Sequence, residues 1–598
     1  MGAIWRSDEI RKEVPQGHLN DPAVPPKKPR RRHRLLFWGL SLTALVLVGL
    51  LVSHEVRTSR FQAHELSRYA ASLNYRLEEG PSDAIRYPGY GPFDLRLGYA
   101  YLPQMLDRLE KRGYSILQQT RFSPALISYT DHGLFPPYQE KVQAGISICD
   151  CRGRPFYQFR YPQQRYPDFT SIPPVLVSSL LFIENRKLLD SQTPLANPAV
   201  DWPRFSKAAL TQVGKAIDLD GQSAGGSTLA TQLEKYRHSP YGRTISASEK
   251  IRQMVSASVR AYRDGPQTLD ARQRIVMDYL NSVPLSAAPG HGEVHGIADG
   301  LRVWYGADFN QVNRLLADTD GDPAARGLAM RQVLSLFIAQ RRPSYYLSRA
   351  HEELNALTDS HIRVLAGAGV IDPTLRDAAL GARLRFRNWE EDSAIQAVDA
   401  NKGISVSRSR LSSLLRMPLY DLDRLDLTAN STLHSDLQNA VTDYLKHLAD
   451  PTFAEQVGLY GERLLSPEKT ADVRYSFTLF ERTPSGNRVR VQTDNTDQPF
   501  DINEGSKLEL GSTAKLRVLA TYLEYIATLH RRYAGLGVEE LRKVPVDPLD
   551  AISRWSIDYL IEHKDRDLYA MLQAAMERTY SASPYESFFT GGGVHTFN

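Results

Sequence analysis

Eighteen consecutive uncharged residues, Leu35–Val52, follow directly on the basic stretch Lys27-Lys28-Pro29-Arg30-Arg31-Arg32-His33-Arg34. No other feature constrains the chain as strongly. A helix needs roughly 17–25 predominantly apolar residues to cross a bilayer core. The run therefore predicts one transmembrane helix at 35–53, after a cytoplasmic basic tail at 1–34. Basic residues before the run and few after it place the N-terminus in the cytoplasm. The bulk of the chain then lies on the periplasmic or extracellular side of the inner (cytoplasmic) membrane. A cleaved secretory leader is the rival reading, for which Val52-Ser53-His54-Glu55 is a poor cleavage site. On either reading the rest is exported.

The charge balance supports a local anchor and excludes a nucleic-acid protein. The 598 residues carry a net charge of +5, and residues 1–34 alone hold nine Lys/Arg against four Asp/Glu. Everything after Arg34 sums to zero, so no basic surface for nucleic acid is implied. The length suggests about three or four domains. With 42% hydrophobic and 24% charged residues the chain is neither disordered nor fibrous. Two cysteines exclude a disulfide scaffold or a Cys-rich zinc protein. Cys149-Asp150-Cys151 is too tight for an unstrained bridge, so both read as free thiols.

Beyond the anchor, residues 54–168 read as a stalk or accessory region that ends in a β-hairpin over 143–162. Helical periodicity appears in 174–190, 227–236, 247–263, 270–283 and 329–341, within a domain spanning 169–350. Residues 351–424 read as a linker with two helical stretches. From Leu425 the pattern changes to a strand, a helix over Leu433–Leu448, strands at 474–482 and 488–493, and a helix after Ser512.

Six motifs carry chemistry. Phe182-Ile183-Glu184-Asn185-Arg186 closes an apolar helix, where partial desolvation suits a carboxylate to proton transfer. Ala224-Gly225-Gly226-Ser227-Thr228 opens the next helix, with Ser227 or Thr228 as its cap. Its exposed N–H groups and dipole favour an anion, and Gln232 and Lys235 follow on that helix. Arg243-Thr244 precedes Glu249-Lys250-Ile251-Arg252-Gln253. Arg274 to Asn281 forms a fourth block, and His295-Gly296-Ile297-Ala298-Asp299-Gly300 with Trp304-Tyr305-Gly306 a fifth. The sixth is Leu510-Gly511-Ser512-Thr513-Ala514-Lys515, a nucleophile–base spacing in which Ser512 and Lys515 share one helix face. Gly290-His291-Gly292-Glu293-Val294-His295 lacks a third ligand for a metal site and reads as a substrate-groove loop.

In this order and spacing, the first five blocks resemble the family 51 glycosyltransferases, the peptidoglycan polymerases, over residues 172–345. The resemblance implies a mainly α chain: an N-terminal transmembrane helix, then a lysozyme-like helical glycosyltransferase domain. The implied substrate is a lipid-linked disaccharide-pentapeptide, polymerised with loss of lipid pyrophosphate. Glu184 would be the general base, with Lys250 and Gln253 beside it in the catalytic set. Asn185, Arg186, Gly226, Ser227, Thr228, Gln232, Lys235 and Arg243 would bind substrate. A divalent cation (Mg or Mn) is a cofactor such a leaving group admits. Cell-wall synthesis proteins are partners it admits.

The sequence departs from the family pattern at four places. Asn185 replaces an Asp, Thr231 a Gln, Glu249 a basic residue and Gln253 the second Glu. A helix places Glu249 away from position 253 on this reading, and Gln253→Glu is expected to raise activity. The departures mark a divergent branch and support an alternative, a weakened scaffold that binds precursor or synthesis partners. A lytic wall-cleaving enzyme is a second alternative. It also needs a lone Glu, but it has no pyrophosphate to neutralise. Residues 425–598 resemble the incomplete start of an α+β penicillin-binding transpeptidase domain, which makes the chain similar to a class A penicillin-binding protein. Later Lys-Thr-Gly and Ser-x-Asn motifs are missing, which reads as C-terminal truncation without peptide cross-linking. Ser512 and Lys515 are its acyl-enzyme candidates.

Overall fold

The computed structural model describes residues 31–202, 227–388, 402–461, 465–496, 501–507, 509, 511–578, 587–590 and 593–596. Gly225 and Gly226 of the glycine loop lie outside them, as does most of the basic tail. The chain divides into two units, residues 1–503 and 504–598.

The first unit begins with α1 (Arg31–Thr58). Its Ser41–Thr58 window has mean hydropathy 1.3 and none of it is buried, so the helix is long and apolar enough to span a membrane. The accessory region follows as α2 (Arg60–Ser72), β1 (Tyr75–Glu79), the short α3 (Pro92–Arg96), β2 (Gln118–Phe122) and α4 (Pro124–Asp131). Strands β1 and β2 pair antiparallel. This region was expected as a stalk, yet it packs on the helical domain. Its apolar cluster of Ala70, Leu73, Phe122, Leu126 and Tyr129 closes over Val259 of that domain.

The expected hairpin forms from β3 (Gly145–Cys149) and β4 (Pro155–Gln158). The cysteines beside its turn are free thiols.

The helical domain is built on α5 (Pro174–Glu184), α6 (Leu229–His238), α7 (Ala247–Ala261) and α8 (Leu269–Ser282). A small hairpin, β5 (Pro284–Ala288) with β6 (Gly292–His295), leads into α9 (Gly296–Tyr305), α10 (Phe309–Ala317) and α11 (Pro323–Ala339). Helix α5 is apolar on nearly every side, so it needs partners all round. Leu176, Val177 and Leu180 sit in the main core with Tyr279, Leu280, Leu301 and Leu334. The helix stops at Glu184, short of the expected end at 190, because Asn185 leaves helical geometry (φ −158°, ψ 76°). The loop beyond is held by buried Arg272, which donates to the carbonyls of Leu188, Asp190 and Thr193 at 3.0–3.1 Å.

Helices α12 (Pro343–Ser348), α13 (His351–Gly367) and α14 (Pro373–Gly381) complete that core. Residues 351–384, read above as the start of a linker, contribute Leu354, Ile362, Leu365, Leu375 and Leu384 to it. Then come α15 (Lys402–Leu415), β7 (Asp426–Asn430), α16 (Ser435–His447), β8 (Ser476–Thr483) and β9 (Gly486–Asp494). Strand β7 does not open a separate domain. It runs parallel to β3, giving a sheet in the order β4-β3-β7. Arg154 pairs with both Asp150 and Asp436, which ties the hairpin to α16. The chain therefore divides after 503, not before 425.

The second unit, taken by itself, is helical apart from one hairpin among the described residues. Helices α17 (Ala514–Tyr533), α18 (Ala551–Glu562) and α19 (Leu568–Glu577) pack around Ile526, Leu560 and Met571.

Candidate functional site

A cleft of about 1190 Å³ opens between the ends of α5, α6, the β5–β6 hairpin and the segment after α11. Glu184, Ser227, Gln232, Lys235 and Arg243, all expected from sequence, line it. The geometry around Glu184 is specific. Gln232 Nε2 donates to its Oε2 at 3.1 Å and Gln340 Nε2 to its Oε1 at 3.2 Å. The Tyr236 hydroxyl donates to Gln340 Oε1 at 3.0 Å and lies 3.4 Å from Gln232 Oε1, closing the ring. Two neutral amides thus orient the carboxylate without neutralising it.

Helix α6 delivers most of this. Thr228 caps it by accepting from the Thr231 amide, while Thr231 Oγ1 accepts in return from the Thr228 amide at 3.0 Å. The Thr at 231 thus serves the cap. Gln232 and Lys235, three residues apart, both face the cleft. Lys235 Nζ lies 4.3 Å from the Tyr236 ring, and burial holds its amine below the usual lysine value. Lys250 stands one layer behind, donating to Ser227 Oγ at 2.9 Å and to Thr231 Oγ1 at 3.4 Å. Burial first, then the Lys235 charge, lower its pKa to about 8. Two poorly solvated cations beside a cleft make a strong anion site.

Other expected residues lie elsewhere. Asn185 is buried at the end of α5, and Arg186 is exposed, stacked 3.9 Å from the Phe182 ring. Gln253 is fully buried behind the cleft. Its Nε2 donates to Ser239 Oγ at 2.9 Å and Thr244 Oγ1 at 3.0 Å. Glu249 does not point elsewhere: its Oε1 accepts from the same Ser239 hydroxyl at 2.5 Å. Positions 249 and 253 are one turn apart and converge. A Glu at 253 would lose both donated bonds and set a second carboxylate beside Glu249. Gln253→Glu is now expected to lower stability by about 1–3 kcal/mol without raising activity. Thermal unfolding checks this, and higher activity at an unchanged Tm would overturn it.

The fourth and fifth blocks serve the framework. Asn281 brackets Tyr166, accepting from its amide at 2.8 Å and donating to its carbonyl at 3.0 Å. Asp299 accepts from the amides of Gln163 and Gln164. The Gly290–His295 loop does border the cleft, through Glu293, Val294 and His295. In the second unit Lys515 Nζ donates to Ser512 Oγ at 3.2 Å, and both residues are exposed. Sequence reasoning missed Gln340 and Tyr236, and also Arg96, Phe93 and Arg342, which line the cleft too. Gln340 follows the apolar last turn of α11 and gives no local signal.

Residues 152–366 match the model of the transglycosylase family. They form a transglycosylase domain, of the family 51 glycosyltransferase type. No curated protein matches the chain. The matched span holds Glu184, Gln232, Lys235, Lys250 and Gln340.

Behind α6 lies a buried ion network. Glu140, ahead of the domain, accepts a hydrogen bond from His238 at 2.6 Å and forms ion pairs with Arg237 at 2.9 Å and Arg260 at 3.0 Å. His238 also meets Asp94 of α3 at 2.9 Å, and Arg237 meets Asp278 of α8 at 3.0 Å. Burial alone would lower the imidazole pKa, but Glu140 and Asp94 raise it to about 10. Burial alone would raise the Glu140 carboxyl, but Arg260, His238 and Arg237 hold it well below the usual range. Gly91 permits the approach of α3. At φ 122° any Cβ there would lie 2.7 Å from the Arg237 carbonyl oxygen.

Proposed function

We propose that the chain is a membrane-anchored peptidoglycan glycosyltransferase that polymerises a lipid-linked disaccharide-pentapeptide. The observation that carries this is one oriented carboxylate, Glu184, in the same cleft as Lys235 and the Ser227 that accepts from Lys250. Glu184 takes the proton of the acceptor hydroxyl. The hydroxyl oxygen bonds to the donor C1 as the C1–pyrophosphate bond breaks, and the electron pair leaves on phosphate oxygen. Lys235 and Lys250 oppose that charge. Glu184 and Glu293 are the carboxylates among the described cleft residues, a thin donor set for a divalent cation, so no step is assigned to a metal.

A second cavity of about 900 Å³ supports the membrane setting. It is walled by Val52 and Val56 of α1 and by Ile251, Met254 and Val255 of α7. An apolar surface continuous with a spanning helix suits an enzyme whose substrate tail stays in the bilayer. The scaffold alternative rests on Gln253 and Asn185, neither of which lines the cleft. A lytic enzyme leaves the paired lysines unexplained.

The test is glycan synthesis by the detergent-solubilised full chain from the lipid-linked precursor. Long strands are expected, and no product under any divalent-cation condition would overturn the proposal. Lys250 gives a separate prediction. Anion binding favours the ammonium form, so binding takes up a proton and weakens as pH rises through about 8. Inhibition by inorganic pyrophosphate should fall between pH 7 and 9, and Lys250→Met should weaken it about tenfold and flatten that dependence. A flat wild-type profile would remove Lys250 from the anion site.

A further inference from the structure

Arg96 differs from Arg237 and Arg260, the guanidinium groups of the ion network behind the cleft. Arg237 and Arg260 each meet carboxylates. Arg96 makes no ion pair among the described residues. Its NH1 donates to His295 Nδ1 at 3.1 Å, and its Nε is enclosed without a partner. Its guanidinium carbon stands 5.9 Å from the Phe93 ring centre and 5.6 Å from that of Tyr161. Arg96 lines the cleft, so the remaining edge, NH2, is the one it offers there. A guanidinium taken partly out of water without a counter-charge is costly unless something supplies one.

The surroundings hold this edge in place, and the carboxylate whose field reaches it, Glu293, forms no ion pair with it. Helix α3 is pinned by Gly91 against Arg237 and by Asp94 on His238. His295 accepts on Nδ1, so its own proton lies on Nε2. Burial, then Arg96 and Arg424, keep the ring neutral. Arg424 lies 4.5 Å from the Tyr161 ring centre and donates to the carbonyls of Tyr420 and His291, not to acids. Glu293 is largely exposed and lies 3.6 Å from His295 Nε2.

We infer that Arg96, presented by the segment ahead of the transglycosylase domain, binds a carboxylate of the substrate's peptide stem. The inference rests on the proposed function for its substrate. Lys235 and Lys250 already serve the pyrophosphate, and the other acidic groups of such a substrate are peptide carboxylates. A planar guanidinium edge held between two aromatic rings matches a carboxylate. The accessory region is then part of the substrate site and reads the peptide, while the domain itself handles the sugar and the phosphate.

The experiment uses the full chain in detergent and measures direct binding, independent of turnover. The probes are a soluble disaccharide-pentapeptide, the same compound with its stem carboxylates amidated, and inorganic pyrophosphate. Wild type should bind the free-acid form about tenfold more tightly than the amidated form. Arg96→Gln should bind both forms equally, at the weaker level, with unchanged pyrophosphate affinity and unchanged Tm. Arg96→Lys should restore part of the preference. A wild type without preference, or an Arg96→Gln variant that keeps it, overturns the inference. Loss of pyrophosphate affinity in Arg96→Gln does so too, by making Arg96 a phosphate ligand. Stem-dependent binding without polymer formation leaves the inference standing and overturns the proposed activity.

Discussion

Glu184→Gln should reduce glycan polymerisation by about 10²–10⁴-fold, the usual contribution of a positioned general base. Its fold should be unaffected. The carboxylate is half-buried and is held by amide donors from Gln232 and Gln340. An amide at 184 keeps one acceptor, and either neighbouring Gln can turn to meet the new N–H₂. The substitution thus removes proton-accepting power and little else. The measurement pairs strand synthesis with thermal unfolding and precursor binding. Lost synthesis with retained binding and Tm is the expected pattern. Synthesis at the wild-type rate would remove Glu184 from the role of base.

The largest stability effect is expected at Glu140. Glu140→Gln leaves Arg237, Arg260 and His238 buried around a neutral group. Breaking one member of a buried ion network costs about 3–5 kcal/mol. The pH dependence identifies the cause. His238 has a folded value near 10 against an ordinary 6.5. A raised value means its stabilisation is fully present below about 6.5 and is lost as pH rises through 10. Wild type should therefore lose stability between pH 6.5 and 10, and Glu140→Gln should lose less over that interval. Equal Tm values for the two proteins at pH 6.5 would show that the network contributes nothing. Activity should fall with stability, because Arg237 and His238 end the helix that carries Gln232 and Lys235.

Local patterns made much of the fold legible. The uncharged run, the helices of the transglycosylase domain and the 143–162 hairpin each leave a periodic trace in a short window. Glu184, Gln232 and Lys235 became candidates for a different reason, the ordered blocks whose resemblance to the family singled them out. What escaped was long-range. Strand β7 reads as the start of a new domain because nothing in residues 425–430 names β3 as its partner. Residues 351–384 look like a connector because their helical stretches are set among charged residues, yet the core takes them. Arg96, Glu140 and Gln340 sit in unremarkable contexts and gain meaning only from neighbours far away in sequence. Glu249 was misjudged because a shared hydroxyl, Ser239, draws it toward Gln253.

The parallel pairing of β3 with β7 sets the order of assembly. Everything from residue 150 to 425 lies between the two strands, so the three-stranded sheet forms only after the transglycosylase domain has left the ribosome. The transglycosylase domain is in effect an insertion within a smaller α/β framework, clasped at both ends. A fragment cut to the matched residues would lose that clasp along with Arg96, Asp94 and Glu140. It would leave His238 without either of its carboxylates and Arg237 with Asp278 alone, and open one wall of the cleft.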